Sequence, residues 1–242
     1  MAESPLQEQV AIVTGASQGI GRAIALRLAT LGARLVLVAR NKAALTEAAA
    51  AIAAAGAPPA RVMPCDLRAP EAMPAVIKAT LEASGRLDIL VNNAGVGWFG
   101  QPLHQTSEEI WNSTLATNLT AVYHAMRAAA PAMIERRAGH IINIASLAGH
   151  NPVPGAAAYA ASKWGLHGLS ISAAEELRSF GIRVSLVCPG SVDTDLSPQL
   201  VGGKDRTRML TPDDIAHAVA MLVTQSPRSF ISEVLIRPTL KP

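Results

Sequence analysis

The sequence predicts an α/β fold, with one doubly wound parallel sheet of about seven strands covered by helices on both faces. Three observations carry that expectation. Short apolar runs alternate regularly with longer helical stretches along the whole chain. Most of the short runs are continuously apolar, as strands buried on both faces require, and do not alternate with period two. The three long irregular segments, 94–106, 146–156 and 190–210, each follow the C-terminal end of a strand-like run, where such a sheet places its ligand.

Taken in order, the expected strands are 10–13, 34–39, 61–65, 87–91, 140–144, 182–187 and 231–236. The expected helices are 20–31, 42–55, 70–84, 107–136, 157–179 and 212–224. Asn41 can cap the second helix, Pro70 fits the first turn of the third, and Pro212 follows Thr211 as cap of the last. Gly32, Gly56, Gly85, Gly139 and Gly181 fall just past helices, where a left-handed residue is wanted. Repeated β–α units of this kind close into a parallel sheet through right-handed crossovers. At 242 residues, the expectation is one domain spanning 1–242.

Composition removes several function classes. Twenty-one basic against 18 acidic residues leave a net charge of +3, which makes no electrostatic case for gripping nucleic acid. Phe 3, Trp 3 and Tyr 2 are too few for a single-strand stacking platform. The N-terminus carries Glu3 and Glu8 and has no basic residue before Arg22, so no signal peptide is expected. No run approaches the roughly 18 apolar residues of a membrane span. Cys65 and Cys188 read as free thiols, and no spacing suggests a metal site. A cytoplasmic location fits these features.

After the first strand comes Thr14-Gly15-Ala16-Ser17-Gln18-Gly19-Ile20-Gly21, running directly into a helix. Glycines there let backbone N–H groups and the positive helix end approach a pyrophosphate. The spacing is G-x-x-x-G-x-G, and Gly21-Arg22 excludes the Gly-Lys-Ser/Thr ending of a P-loop. A carboxylate at the end of the second strand would hold a ribose 2′-hydroxyl. This strand instead ends Val38-Ala39-Arg40-Asn41. Arg40 would pair with a 2′-phosphate, and Ser17 could add a hydroxyl bond, which favours NADP(H) over NAD. The alternative is that Arg40 is a solvated strand-end charge.

Tyr159 and Lys163 are four apart in a helical stretch and share a face. A phenol is a poor acid–base group at neutral pH unless a nearby cation favours phenolate, and the Lys163 ammonium could supply that field. By itself the pair also fits an ordinary surface helix. Ser146, directly after the fifth strand, could donate to a carbonyl oxygen or merely cap a turn.

Together Thr14 to Gly21, Asn92-Asn93-Ala94-Gly95, Asn118, Ser146, Tyr159-x-x-x-Lys163 and Pro189-Gly190-x-x-x-Thr194 resemble the motif set of the short-chain dehydrogenases/reductases, in order and spacing, over roughly residues 8–237. The resemblance implies a Rossmann-type fold and NADPH-dependent interconversion of a ketone or aldehyde with an alcohol. It implies Tyr159 as proton donor, and Lys163 as the group that holds the nicotinamide ribose and lowers the Tyr159 pKa. It implies Ser146 as the residue polarising the carbonyl, and Asn118 as a helix interruption holding a relay water. For the cofactor it implies Gly15, Ser17, Gln18, Gly19, Ile20 and Gly21 at the phosphates and Arg40 at the 2′-phosphate. Asp66 and Leu67 would lie at the adenine, Asn93, Ala94 and Gly95 at the adenosine ribose, and Pro189, Gly190, Val192 and Thr194 at the carboxamide. Gln18 stands where many NADP-dependent members carry a basic residue.

Trp98, Phe99, Leu147, His150, Val153 and Pro154 are expected around an apolar or aryl ketone, with 195–210 as the lid; the alternative is that Trp98 and Phe99 simply anchor their loop. Lys204, Arg206 and Arg208 are either solvated or face an acidic substrate. The long helices 107–136 and 157–179 carry more apolar surface than a one-sided helix needs, which suggests a dimer or homotetramer. Two further readings stand beside this one. A 3-oxoacyl-acyl-carrier-protein reductase is disfavoured by the tail Ser232-Glu233-Val234-Leu235-Ile236-Arg237, which lacks a Gly-Gly pair. A non-catalytic NADP(H) sensor or a purely structural oligomer is disfavoured by an intact Asn118, Ser146, Tyr159 and Lys163.

Overall fold

The structure, a computed structural model, describes residues 4–194 and 205–242. Seven parallel strands form one sheet: β1 (Val10–Thr14), β2 (Arg34–Ala39), β3 (Arg61–Pro64), β4 (Ile89–Asn92), β5 (Gly139–Ile144), β6 (Ile182–Pro189) and β7 (Glu233–Ile236). Their spatial order is β3-β2-β1-β4-β5-β6-β7, so the order reverses between β1 and β4. Successive residues of β1 face opposite sides: Ala11 and Val13 enter one apolar layer and Ile12 the other.

The first layer is closed by α1 (Gly19–Thr30), α2 (Lys42–Ala54) and α7 (Pro212–Thr224), through residues such as Leu28, Ile52 and Leu222. The second is closed by α3 (Ala72–Ser84), α5 (Ala121–Arg136) and α6 (Ala157–Arg178), through Ile77, Met133 and Leu166. At the sheet's N-terminal edge Asp88 accepts from the Val10 backbone N–H and pairs with Arg86 and Arg136. That buried carboxylate ties β1, β4 and α5 together.

Most expected boundaries fall within two residues of the observed ones, and the caps follow the predicted chemistry. The Asn41 side chain accepts from Ala44 N, and Thr211 and Asp214 form a reciprocal capping box. Three expectations are corrected. Helix 107–136 is two helices, α4 (Glu108–Leu115) and α5, joined by a π-helical turn over Ala116–Thr120 that carries Asn118. Gly139 is not the left-handed cap of α5, since Arg137 takes that conformation at φ 50°. Gly139 opens β5 instead, where a Cβ would lie 2.5 Å from Met133 Sδ. Pro70 precedes α3 in a turn and does not enter its first turn. Both cysteines are free, Cys188 buried and Cys65 half-buried. Among the described residues no helix is long and apolar enough to cross a membrane.

Candidate active site

The crevice lies where the strand order reverses, at the C-terminal ends of β1 and β4, as the general rule for such sheets requires. Thr14 sets its floor. Its hydroxyl accepts from the N–H groups of Asn93 and Ala94 at 3.0 and 3.1 Å, and Asn93 Nδ2 donates to Thr14 O at 3.0 Å. Two strand ends are thereby locked side by side with backbone facing backbone. Only glycine fits there: a Cβ on Gly21 would lie 2.2 Å from Gly15 O, and Gly15 itself sits at φ +67° against Ala94 Cα.

A cleft of about 1510 Å³ opens over this floor. Of the residues singled out by the motifs, Gly15, Ser17, Gln18, Gly19, Ile20, Arg40, Asp66, Leu67, Asn93, Ala94 and Gly95 line one part of it. Ser146, Tyr159, Lys163, Pro189, Gly190, Val192 and Thr194 line the rest. Gly21 and Asn118 are not in its walls. Gly21 backs the Gly15 turn. Asn118 is buried behind Val96: its Oδ1 accepts from Val96 N and its Nδ2 donates to Val96 O, both at 2.8 Å. Nδ2 also donates to Ser162 Oγ, one residue before Lys163. The π turn therefore places a carboxamide that joins the wall after β4 to α6.

Tyr159 and Lys163 are both buried one turn apart on α6. Lys163 Nζ donates to Ile144 O at 2.9 Å and lies 5.7 Å from the Tyr159 ring centroid. Burial depresses the ammonium to about 8. Ser146, at the end of β5, caps the short turn Leu147–Gly149 by accepting from Ala148 N. Its hydroxyl lies on the same cleft wall as the Tyr159 phenol and favours the phenol's charged form. The Tyr159 phenol is raised above its usual value, because burial outweighs the opposing effect of Ser146. This corrects the expectation that Lys163 lowers it: in this site burial dominates, and the phenol keeps its proton at neutral pH. Phe99 packs on the phenol ring at 5.1 Å between centroids.

Trp98, Phe99, Leu147 and Val153 line the cleft as expected, but His150 and Pro154 do not. His150 turns away to Glu233 at 2.7 Å. Most of the expected lid, 195–204 with Lys204, lies outside the described residues. At its base Val192 bridges Leu210, Arg206 pairs with Asp193, and Arg208 pairs with Asp205. Both arginines are thus neutralised locally.

Two features escaped the sequence reading. Arg68 binds both Asp66 carboxylate oxygens and donates its backbone N–H, holding that carboxyl down at about 2. Residues 237–242 pass over the cleft and supply Arg237 and Lys241 to its rim. Arg68 stands two residues past a motif position, a signal that was available.

An open parallel sheet with a glycine-walled crevice at its reversal point, and Ser146 beside a buried Tyr159–Lys163 pair above it, has the architecture of a dinucleotide-binding oxidoreductase. The chain belongs to the short-chain dehydrogenase family, whose sequence pattern it matches over residues 9–204. An uncharacterized oxidoreductase of Staphylococcus epidermidis is 35% identical over 233 residues, covering 96% of this chain and 98% of its own. A metagenomic short-chain oxidoreductase solved in complex with NADP is 55% identical, with a TM-score of 0.87 over 98% of this chain and 100% of its own. Actinorhodin polyketide ketoreductase, solved with NADPH, is 32% identical, with a TM-score of 0.88 over 95% of each chain.

Proposed function

We propose that the protein reduces a small apolar ketone or aldehyde to the alcohol, reversibly, with NADPH as reductant and Tyr159 as proton donor. The observation that supports this most is the buried Tyr159–Lys163 pair, one turn apart on α6, facing Ser146 in a cleft floored by close-packed glycines. The Gly15–Gly21 approach leaves no room for side chains and suits a pyrophosphate at the N-terminus of α1. Arg40 at the end of β2, with Arg68 nearby, suits a 2′-phosphate. When bound, NADPH supplies the two electrons and the hydrogen delivered to carbon.

The chain's own groups do the rest. Ser146 donates a hydrogen bond to the carbonyl oxygen, and Tyr159 gives that oxygen its proton. Lys163 holds the ribose and returns a proton toward Tyr159, through a water positioned at Asn118. Trp98, Phe99 and Val153 exclude bulk water from the reacting carbonyl. The raised phenol pKa suits the reductive direction, in which the proton must be present. Substrates are expected among apolar and aryl ketones. Consumption of NADPH at 340 nm against a panel of ketones, β-ketoesters and quinones, run in parallel with NADH, tests the reading. Tight NADPH binding with no consumption on any member would replace it with the sensor reading.

Two expected outcomes follow from charge. Arg40→Ala removes a charge-assisted contact worth about 1.5–3 kcal/mol, so NADPH affinity should fall roughly 10–100-fold while NADH affinity is unchanged. Equal losses for both cofactors would remove Arg40 from the 2′-phosphate. The Lys163 proton, held at about 8, is present below that pH and lost above it. The kcat/KM for reduction, which reports the free enzyme, should therefore decline along an alkaline limb near pH 8. A profile flat to pH 10 would contradict this.

The same reading includes an oligomer formed through α4, α5 and α6, on which Trp111, Tyr123, Trp164 and Ile171 are exposed. Sedimentation at micromolar concentration should give a dimer or tetramer, and a monomer would contradict it.

A further inference from the structure

Away from the cleft, three side chains with metal-ligand chemistry meet: His150 from the turn after β5, His167 on α6 and Glu233 at the start of β7. Their ligand atoms all lie within 4.8 Å of one another. His150 Nε2 is 2.7 Å from Glu233 Oε1 and His167 Nδ1 is 3.5 Å from it. The two imidazoles meet edge to face with centroids 4.5 Å apart. His167 Nδ1 is buried and makes no hydrogen bond, which leaves a lone pair or a proton unspent inside the cluster. Glu233 is steadied from behind by the buried Cys188 thiol, whose Sγ donates to Oε1 at 3.2 Å. The side chains are 21–26% exposed, so the cluster is open on one side.

We propose that His150, His167 and Glu233 form a binding site for a zinc-class divalent ion, distinct from the catalytic cleft. Two imidazole nitrogens and one carboxylate oxygen are a donor set that suits zinc and cobalt and not magnesium or calcium, which prefer all-oxygen cages. Tetrahedral geometry with ligands about 2.0–2.1 Å from the metal places donor atoms about 3.3 Å apart. The His167–Glu233 separation of 3.5 Å needs to close by about 0.2 Å, and the His150–Glu233 pair needs to open by about 0.6 Å. The open side leaves the fourth position to water. Bound there, the ion would clamp the turn that Ser146 caps onto α6 and the edge strand β7. The three residues are far apart in sequence, so no spacing pattern could disclose them.

The test uses tag-free protein stripped with chelator and titrated with Co²⁺. Tetrahedral ligand-field bands should appear in the visible, with one equivalent bound. Zinc at a hundredfold excess over its dissociation constant should raise Tm by about 5–10 °C. His167→Gln and His150→Gln should each weaken cobalt binding by more than about 100-fold, since even losing an outer-shell partner costs 10–100-fold. Unchanged circular dichroism shows that either variant has folded, and two variants guard against one failing to fold. Absence of bands and of a Tm shift overturns the site. So do bands that persist in both folded variants, which would place the metal elsewhere.

Discussion

Tyr159→Phe is expected to lower kcat for ketone reduction by about 10²–10⁴-fold, the usual contribution of a positioned proton donor. The substitution removes one oxygen and keeps the ring, so the packing against Phe99 at 5.1 Å survives. Burial already disfavours the charged phenolate, so the variant loses no ionic contact that stabilises the fold. NADPH affinity should stay within a few fold, because the glycine floor, Arg40 and Lys163 are untouched. This split, with kcat lost and binding retained, distinguishes a proton donor from a packing residue. Near-normal kcat would remove Tyr159 from the chemistry.

Gly21→Ala is expected to be the most damaging single methyl group in the molecule. Helix propensity alone predicts a gain of about 1 kcal/mol for alanine over glycine near the start of α1. The geometry predicts the opposite sign: the new Cβ would stand 2.2 Å from Gly15 O and 2.5 Å from Asn93 Nδ2. The first is backbone, and the second, a side-chain end, is held by its bond to Thr14 O, so the Thr14–Gly15 backbone must move away from Asn93. Overpacking of this kind costs about 1–3 kcal/mol, or roughly 2–12 °C in Tm for a chain of this size. The same movement disorganises the N–H groups that face the phosphates, so NADPH binding should fall with stability. A Tm at or above that of the parent would show that the close approach is not rigid.

The sheet and the order of its elements were legible because buried parallel strands and helix ends leave local marks: apolar runs, Asn41, Thr211-Pro212, and glycines after helices. The cleft was legible for a similar reason. Its residues sit at strand ends in fixed sequence order, and all but Gly21 and Asn118 reach its surface. What the sequence concealed depends on contacts between distant segments. Gly139 resembles a helix cap by position, yet Met133 demands its missing side chain and Arg137 takes the left-handed turn. His150 follows Ser146 closely enough to suggest the pocket, but Glu233 and His167 draw it to the other side of that turn. The sign of the Tyr159 shift was also concealed. Residue spacing places Lys163 beside the phenol but does not reveal how completely both are buried.

In the proposed reaction this crevice delivers hydrogen to a carbonyl carbon while Tyr159 protonates the oxygen. The most direct measurement is mass spectrometry of the alcohol formed from a panel ketone in the presence of NADPH deuterated at the transferable C4 position. One deuterium, on the carbinol carbon, is expected in product from the parent protein, and product formation at least about 10²-fold slower with Tyr159→Phe. Alcohol without deuterium, or labelled alcohol formed equally fast by the Tyr159→Phe variant, would contradict it.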